Sequence, residues 1–320
     1  MKLQTLSLAP DAAGLGKAAH ILRSGGLVAF PTETVYGLGA DATSDVAVAK
    51  IYAAKGRPRI NPLIAHVESR AAAEAQGIFT REAAILAESF WPGPLTLVLP
   101  LAAGATICES ARAGLPSVGL RVPAHRITQM LIAATGVPLA APSANLSGRV
   151  SPVTAADVRE DLGGAIDAII DAGRAQVGLE STIISCLGPE PQLLRPGGIA
   201  RAAIESVLGR PLAAYATEAT PRAPGQLASH YAPRARLRLE ARDLEEGEAG
   251  LDFGGRFGIA ANILDLSPGA DLNEAAANLF RYLRDLDRQH PQIIAVAPIP
   301  EIGLGEAIND RLRRAAVKDE

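Results

Sequence analysis

Cationic side chains recur in this sequence directly beside short apolar runs. Lys55 and Arg57 follow a predicted helix and flank Gly56, which lets a ligand approach the backbone closely. Arg121 lies inside one apolar run, and Arg195 ends another. A cation beside a buried strand is costly unless an anion meets it. The pattern therefore predicts an anion-binding site built from several arginines and a lysine.

Two further polar residues extend this site. Ser143 and Asn145 alternate at the end of an apolar run, and their hydroxyl and amide groups can bond a sugar hydroxyl, a phosphate or a carboxylate. Arginine binds phosphate oxygens through two parallel N–H donors, and lysine supplies a point charge. The combined set therefore fits a triphosphate. Each motif alone is ordinary for a surface loop. Their recurrence at strand ends, where α/β folds bind ligands, favours a common site.

Several common catalytic motifs are missing from the sequence. There is no P-loop, no Gly-x-Ser-x-Gly elbow and no His-Glu-x-x-His metal motif. Glycine pairs at 37–42 and 303–305 match a dinucleotide fingerprint only in part, and plain turns explain them better. Cys108 and Cys186 are too far apart in sequence for a Cys-x-x-Cys pair. We interpret them as reduced core thiols.

Composition favours a globular protein of about two domains. The chain has 320 residues, of which 48% are apolar and 20% charged. The net charge is −3 and aromatic residues make up 4%, so bulk binding of nucleic acid is not favoured. Two uncharged stretches, 90–108 and 127–148, are broken by turn-forming and polar residues and are not interpreted as membrane spans. Without the apolar region of a signal peptide, a cytoplasmic location is expected.

Hydrophobic patterning predicts an α/β fold, because strand-like apolar runs alternate with segments of helical period. The predicted strands are 27–30, 63–67, 95–99, 118–122, 139–141, 168–170, 182–185, 193–194, 237–239, 257–261 and 293–297. The predicted helices are 11–24, 45–54, 81–90, 126–135, 154–162, 201–208, 273–288 and 306–316. The 23 prolines mean that a regular parallel sheet is not assured.

A change of composition near Pro211 divides the chain. The segment 211–234 contains four prolines and no apolar period, which is typical of an extended linker. We therefore expect one domain over residues 1–210, a linker over 211–234 and a smaller α/β domain over 235–320. Residues 1–210 carry 18 Lys and Arg against 17 Asp and Glu, so the basic surplus of the first domain is slight.

Seven motifs that occur in order are shared with one family. They are PTETVYGLG (31–39), KGRP (55–58) with NPLI (61–64), WPGPLT (91–96), RVP (121–123), APSAN (141–145), EST (180–182) and LRPG (194–197). Together they resemble the YrdC-type threonylcarbamoyl-AMP synthases. Three further segments are similar to the long two-domain form of that family, namely APG (223–225), HYAP (230–233) and GLGEAINDRL (303–312). Gln226 and Asn309 depart from the family pattern in the linker and the tail.

The resemblance implies a reaction and an architecture. L-Threonine, bicarbonate or CO₂, and ATP would give threonylcarbamoyl-AMP and pyrophosphate. The product would pass to the machinery that forms threonylcarbamoyladenosine in tRNA. The first domain would be a twisted mixed-sheet α/β domain with a cationic cavity, covered by the linker, and the second a smaller Rossmann-like α/β domain. Mg²⁺ would accompany the ATP phosphates without an assigned protein site. Weak tRNA contact and no membrane contact are expected.

Site residues follow from the resemblance position by position. It implies catalytic roles for Lys55, Arg57 and Arg195. It implies ATP contacts from Arg57, Asn61, Ser117, Asn145, Ser151, Arg195 and Tyr231. It implies threonine contacts from Thr34, His66, Arg121, Ser143 and Ser181. Adenylyl transfer develops charge on phosphate oxygens, so positioning and cations would supply most of the catalysis. No residue stands out as a general base.

Two alternative functions stay open at this point. A cationic cavity could also bind double-stranded or structured RNA, although the nearly neutral first domain and the scarcity of stacking aromatics count against it. Carbamoyl transfer in metal-cofactor maturation is the second alternative, because related domains occur in such proteins. Those proteins would bring added acyl-phosphate and zinc-finger segments, and this chain has no cysteine cluster.

Overall fold

The structure is a computed structural model that describes residues 4–213 and 231–317. Within these residues the strands are β1 Leu6–Leu8, β2 Val28–Phe30, β3 Gly37–Asp41, β4 Ile64–His66, β5 Leu95–Pro100, β6 Ser117–Arg121, β7 Leu139–Ala140, β8 Ala168–Ile170, β9 Thr182–Ser185, β10 Gln192–Arg195, β11 Arg236–Arg238, β12 Ala249–Asp252, β13 Ile263–Asp265 and β14 Ile293–Val296. The helices are α1 Ala12–Arg23, α2 Asp45–Lys55, α3 Arg70–Glu74, α4 Arg81–Phe90, α5 Glu109–Arg112, α6 Arg126–Thr135, α7 Ala155–Leu162, α8 Arg201–Leu208, α9 Leu272–Asp287 and α10 Gly305–Ala316.

The strands β1 to β10 form one mixed sheet. Their order is β1-β8-β2-β3-β7-β4-β6-β5-β9-β10. For example, β4 pairs with β6 in parallel, whereas β5 pairs with β6 antiparallel. Helices up to α8 accompany this sheet, and we call the assembly from β1 to α8 the large-sheet unit. The expectation of a mixed-sheet α/β domain is confirmed.

Strand β3 was not predicted from the sequence, because two of its five residues, Gly37 and Gly39, are glycines. β3 pairs antiparallel with β2. A Cβ placed on Gly39 would lie 2.4 Å from the ring of Phe30 in β2. Glycine therefore lets this aromatic ring lie across the neighbouring strand, at the expense of the β-branched residues by which strands are usually found.

The remaining strands form a second, smaller sheet. Its order is β11-β14-β12-β13, and every pairing is parallel. The helices α9 and α10 accompany it, and we call the assembly from β11 to α10 the small-sheet unit. This parallel arrangement agrees with the expected smaller α/β domain.

The predicted strand 257–261 is wrong, because this segment has no strand structure. The preceding turn wraps the buried carboxylate of Asp252. The backbone amides of Arg256 and Phe257 donate to its Oδ1 and Oδ2, at 3.2 and 2.9 Å. A backbone whose donors are taken by a side chain is not available to a sheet ladder. Two strands for which there was no prediction, β12 and β13, lie on either side of this segment.

The two units share a hydrophobic core. Val35, Val150 and Leu179 of the large-sheet unit belong to the same buried cluster as Leu279 and Phe280 of α9. Burial of this apolar surface holds the small-sheet unit against the large one. The region of contact lies beside the segments 31–39 and 178–182 that the sequence assigned to the site.

Close backbone approach and an ion pair strengthen this docking. Gly178 has φ 72°, and a Cβ there would lie 2.5 Å from the carbonyl oxygen of Ala276 in α9. Only glycine accepts both conditions at low cost. Arg284 of α9 donates to Asp161 of α7 at 2.7 Å, with the two side chains 7% and 1% exposed. The interface is therefore both apolar and charge-paired.

The predicted linker 211–234 falls largely on residues 214–230, which lie outside the described residues. At its far side, Ala232 donates its backbone N–H to the carbonyl of Gly148 at 2.8 Å, and it forms an isolated bridge with Arg149. This bridge ties the segment just before β11 to the loop after β7. Among the described helices, none combines the length and the apolar character that crossing a membrane requires.

Candidate active site

One cavity gathers seven of the thirteen predicted site residues. It lies between the strands of the large-sheet unit and Tyr231 and is partly open to solvent. Seven of the predicted side chains line it: Arg57, His66, Arg121, Ser143, Ser181, Arg195 and Tyr231. All of these except Ser143 are more than nine-tenths buried. The lining holds three arginines and one carboxylate, that of Glu180, so the cavity is cationic.

Sheet pairing brings Arg121 and His66 together. β4 and β6 are parallel neighbours, and His66 lies opposite Arg121 in their register. Cross-strand partners on one face have their Cβ atoms about 5 Å apart. The separation of 55 positions along the chain gives no hint of this contact. These two residues define what we call the carboxylate end of the cavity.

The Arg121 guanidinium is fixed by two hydrogen bonds and has further N–H donors. Its Nε donates to the carbonyl of Gly93 at 3.2 Å and its Nη2 to Glu33 Oε1 at 2.6 Å. Nη1 makes no hydrogen bond to the described residues. Burial alone would raise the pKa of Glu33, but the charge and hydrogen bond of Arg121 lower it below its ordinary value. Arg121 is thus an oriented cation with donors left for a ligand carboxylate.

His66 is neutral over the physiological range. Burial, followed by the charge of Arg121, lowers its pKa to about 3. Its Nδ1 is buried and has no hydrogen-bond partner among the described residues. Phe30 meets the imidazole edge-on, with ring centroids 6.4 Å apart. His66 can therefore bond a ligand without adding positive charge to the carboxylate end.

Hydroxyl groups flank the carboxylate end. Ser181 Oγ shares a hydrogen bond of 2.7 Å with Thr96 Oγ1. Thr34 Oγ1 shares one of 2.7 Å with Thr32 Oγ1, and Thr32 lines the cavity while Thr34 lies just behind it. Neutral hydroxyls can donate or accept, so they suit a ligand that carries both a hydroxyl and an ammonium group.

The end of α2 aims Arg57 into the cavity. α2 stops at Gly56, whose φ of 60° is left-handed and favours glycine. Beyond this turn, Arg57 Nε donates to the carbonyl of Asn61 at 3.4 Å and Nη2 to that of Pro62 at 3.2 Å. Burial lowers the pKa of Arg57 to about 10, so it stays charged near pH 7. No carboxylate among the described residues pairs with it.

Lys55 lies behind the cavity, not in its wall. It is 2% exposed, and its Nζ donates to the carbonyl oxygen of Ser143 at 2.6 Å and to that of Asn145. Burial, followed by the charge of Arg57, lowers the pKa of Lys55 well below its ordinary value. The side chain therefore fixes the loop after β7, which presents Ser143 to the cavity.

Two buried amide side chains have open hydrogen-bonding capacity. Both side-chain atoms of Asn61 and the Oδ1 of Asn145 are buried and lack a partner among the described residues. Asn145 Nδ2 is already engaged, because it donates to the carbonyls of Leu146 and Arg149, each at 2.8 Å. Unsatisfied buried amides are rare in folded proteins and mark places where a ligand or water supplies the missing bond.

Ser117 and Ser151 lie away from the cavity lining. Ser117 opens β6 and lies four residues from Arg121, which is about 13 Å along a strand. Ser151 is fully buried, and its Oγ donates to Glu180 Oε1 at 2.5 Å. The structure thus places Ser117 apart from the carboxylate end and Ser151 one hydrogen bond behind the wall.

The small-sheet unit contributes residues that sequence reasoning did not assign to the site. Arg311 of α10 donates from Nε to Glu180 Oε2 at 2.8 Å. Phe280 of α9 stacks on Tyr231, with ring centroids 5.7 Å apart and an interplanar angle of 19°. Glu33, Glu180 and Arg311 all lie inside the quoted motifs. The signal that could have found them is charge, because a buried arginine needs a nearby counter-charge.

Comparison with known proteins supports both units. Residues 20–197 match the family Sua5_yciO_yrdC, described as "Telomere recombination", and residues 199–317 match "Threonylcarbamoyl-AMP synthase, C-terminal domain". The threonylcarbamoyl-AMP synthase of Pyrococcus abyssi is 42% identical over 93% of this chain and 93% of its own length. That of Bacillus subtilis is 40% identical over 94% of this chain and 92% of its own.

A solved structure agrees over the whole length. The crystal structure of P. abyssi Sua5 complexed with L-threonine matches with a TM-score of 0.90 at 38% identity. The match covers 98% of this chain and 97% of the other. With both units matched in sequence and in structure, the chain belongs to the threonylcarbamoyl-AMP synthase family, in its two-domain form.

Proposed function

We propose that this protein makes threonylcarbamoyl-AMP from L-threonine, bicarbonate or CO₂, and ATP, and releases pyrophosphate. The main support is a single cavity in which a carboxylate end, Arg121 with neutral His66, adjoins the further cations Arg57 and Arg195. This arrangement of charges suits an amino acid beside a polyphosphate. The names of the relatives and the threonine complex of the P. abyssi protein support the same reaction.

In this proposal the carboxylate end binds threonine. Arg121 Nη1 donates to the threonine carboxylate, and the hydroxyls of Ser143 and Ser181 and the imidazole of His66 serve its polar groups. Thr34 supports this end through its hydrogen bond to Thr32. Because His66 stays neutral, it does not repel the threonine ammonium.

The further cations serve ATP. Arg57 and Arg195 meet the phosphates, and the open amides of Asn61 and Asn145 bond the nucleotide. Ser117, Ser151 and Tyr231 complete the set proposed for ATP. Lys55 acts through the loop that it anchors by its two hydrogen bonds to backbone carbonyls.

The chemistry then needs two bond-forming steps. The threonine ammonium loses a proton to solvent, the free amine attacks the carbon of CO₂ as one C–O π bond opens, and the adduct loses a second proton to solvent and becomes a carbamate. A carbamate oxygen attacks the α-phosphorus of ATP, the bond from that phosphorus to the bridging oxygen breaks, and pyrophosphate leaves. Arg57 and Arg195 stabilise the charge that develops on the phosphate oxygens. Because the cavity holds threonine and ATP side by side, the entropic part of the activation barrier for the second step is lowered.

Mg²⁺ is proposed to enter with ATP. The described residues hold no group of three or more His, Cys, Asp or Glu side chains that could bind a metal ion. Glu180, the carboxylate of the cavity wall, already accepts hydrogen bonds on both oxygens. When bound to the phosphates, Mg²⁺ would supply charge neutralisation of the leaving pyrophosphate. This chain's contribution is the arginines around it.

We further propose that the product feeds the enzymes that modify tRNA, and that the protein acts in the cytoplasm, where ATP and tRNA meet. A weak tRNA contact belongs to this proposal. The near balance of charge over residues 1–210 predicts that such contact is minor.

The test is pyrophosphate release from ATP by the pure protein, with and without L-threonine and bicarbonate. We expect release to require both, and labelled bicarbonate to appear in an adenylate. Arg121→Lys keeps the charge but removes the bidentate guanidinium. The KM for threonine should therefore rise at least about tenfold, while the KM for ATP changes less than about twofold. Arg126→Lys, on an exposed residue of α6, is the matched control.

Two results would contradict the proposal. Release that is indifferent to threonine would remove the amino-acid site and favour a carbamoyl-transfer activity. Binding of structured RNA with salt-dependent affinity, in the absence of any ATP turnover, would favour the RNA-binding alternative.

A further inference from the structure

Arg311 is the largest fully buried side chain of the described residues, and it belongs to the small-sheet unit. It lies on α10 and has no solvent exposure. α10 places it against the wall of the cavity in the large-sheet unit. A buried arginine is costly to desolvate, so its partners indicate what it is for.

Those partners surround the part of the cavity that we assign to ATP. Arg311 Nε donates to Glu180 Oε2 at 2.8 Å, and Nη2 donates to the carbonyl of Pro196 at 2.9 Å. Pro196 directly follows Arg195. The other oxygen of Glu180 accepts from Ser151. Arg311 is therefore one residue or one hydrogen bond removed from two of the side chains assigned to ATP.

Arg311 also contacts Tyr231, another side chain assigned to ATP. Its guanidinium carbon lies 5.0 Å from the ring centroid of Tyr231, at cation–π distance. Tyr231 has a left-handed φ of 65° and stacks on Phe280 of α9. Both ring contacts come from the small-sheet unit. A tyrosine in this strained backbone conformation needs such neighbours to keep its place.

The charge of Glu180 gives the strongest reason for Arg311. Glu180 is buried in the cavity wall, where an uncompensated carboxylate would repel the phosphates of ATP. Burial alone would raise the pKa of Glu180, but the charge of Arg311, which also pairs with Asp310 at 2.5 Å, and the charge of Arg195 lower it, so Glu180 stays ionised. The positive charge of Arg57 is then left to act on the nucleotide.

We propose that Arg311 is a positioning residue for ATP, and that completing the ATP half of the cavity is a task of the small-sheet unit. This inference rests on the proposed function. Arg311 makes no hydrogen bond to a residue assigned to threonine, and its guanidinium contacts Tyr231, which is assigned to ATP, so its effect should fall mainly on ATP. The second unit would thus take part in nucleotide binding without touching the nucleotide.

The test compares the dissociation constants of ATP and L-threonine, measured separately by calorimetry on the full-length protein. Arg311→Met should weaken ATP binding about tenfold to a hundredfold, as expected for lost bonds to charged groups. Threonine binding should change less than about twofold. Arg311→Lys keeps the charge and should recover most of the lost ATP affinity.

A second variant guards against failure to fold. Arg311→Met leaves Glu180 buried without its partner, so Arg311→Met combined with Glu180→Gln removes both charges at once. The double variant should bind ATP more tightly than Arg311→Met alone, because the repulsion is gone. If Arg311→Met gives no folded protein, the double variant and Arg311→Lys still decide the question, with threonine binding as the check of folding.

Two matched controls separate positioning from docking. Arg313→Ala lies on the same helix, with its side chain 57% exposed. Arg201→Ala removes an ion pair of 2.5 Å between α8 and Glu306 of α10 that is remote from the cavity lining. Both should leave both dissociation constants within about twofold of the parent protein.

The overturning results are distinct from failure of the proposed function. ATP affinity unchanged in Arg311→Met, or ATP and threonine affinity lost in equal measure, would overturn the positioning role. So would a loss in Arg201→Ala as large as in Arg311→Met, since docking alone would then explain it. A parent protein that binds ATP but never releases pyrophosphate would instead refute the proposed function and leave the binding comparison intact.

Discussion

Replacing Glu33 by Gln should destabilise the protein strongly, because it removes the counter-charge of a buried arginine. Glu33 Oε1 and Arg121 Nη2 are 2.6 Å apart, and the two side chains are 8% and 4% exposed. Glutamine has nearly the same shape and can still accept the hydrogen bond. What changes is therefore the charge alone, and the Arg121 guanidinium stays buried without an acid.

The size of the effect follows from the burial of the pair. Two unit charges about 4 Å apart interact by about 4 kcal/mol at an effective dielectric constant near 20. The amide hydrogen bond that remains offsets about 1 kcal/mol of this. Breaking one partner of a buried pair typically costs about 3–5 kcal/mol. We expect Glu33→Gln to lower the free energy of unfolding by about 3 kcal/mol near pH 7.

Urea denaturation of the ligand-free protein measures this loss. The matched control is Glu74→Gln, which breaks the 2.9 Å pair with Arg70 on α3, where the side chains are 48% and 41% exposed. An exposed pair of this kind contributes at most about 0.5 kcal/mol. The contrast between the two variants isolates burial, since the chemistry of the substitution is the same.

The pH dependence gives a second reading of the same pair. The pKa of Glu33 is lower in the folded protein than its ordinary value. Its contribution is thus present above that ordinary value and is lost as pH falls through the folded pKa. The difference between the parent protein and Glu33→Gln should shrink in acid. A difference under about 1 kcal/mol near pH 7, or one that stays constant in acid, would refute the reasoning.

Three further substitutions probe other parts of the site. Lys55→Met should raise the KM for ATP and for threonine together, each about tenfold, because the loop that it anchors serves both; pyrophosphate release at varied substrate concentrations measures this. Gly178→Ala should lower the free energy of unfolding by at least about 2 kcal/mol, because its Cβ would meet Ala276. Gly188→Ala, in open space and without a left-handed φ, is its urea-denaturation control. Arg57→Met should stabilise the ligand-free protein by about 1–2 kcal/mol in urea while weakening ATP binding in calorimetry, because it removes a buried charge that has no acid partner.

The helices were largely predictable from the sequence. The spans 81–90, 126–135 and 201–208 agree with α4, α6 and α8 at both ends. Each helix carries a local period and local end signals, so no distant residue is needed to find it. The strands β12 and β13 were missed because they are short and one of them contains Gly250, which weakens the alternation that marks a strand.

The cations of the site were predictable, but their partners were not. A charged residue inside an apolar run, such as Arg121, is visible in the sequence. That it lies opposite His66 depends on the register of β4 and β6, which is set by the whole sheet. The contact between Arg311 and Glu180 depends on how two units dock. Such pairings are tertiary, and no local pattern encodes them.

The carboxylate end of the cavity is nearly neutral, whereas the part assigned to ATP keeps a net positive charge, and this difference matches the proposed ligands. At the carboxylate end, Glu33 offsets Arg121 and burial keeps His66 uncharged, so this end is close to neutral. Threonine is a zwitterion and also has no net charge. Arg57, in contrast, has only carbonyl partners among the described residues and keeps its charge. An uncompensated buried cation costs stability in the empty protein and gains most from a polyanion, which is what ATP brings.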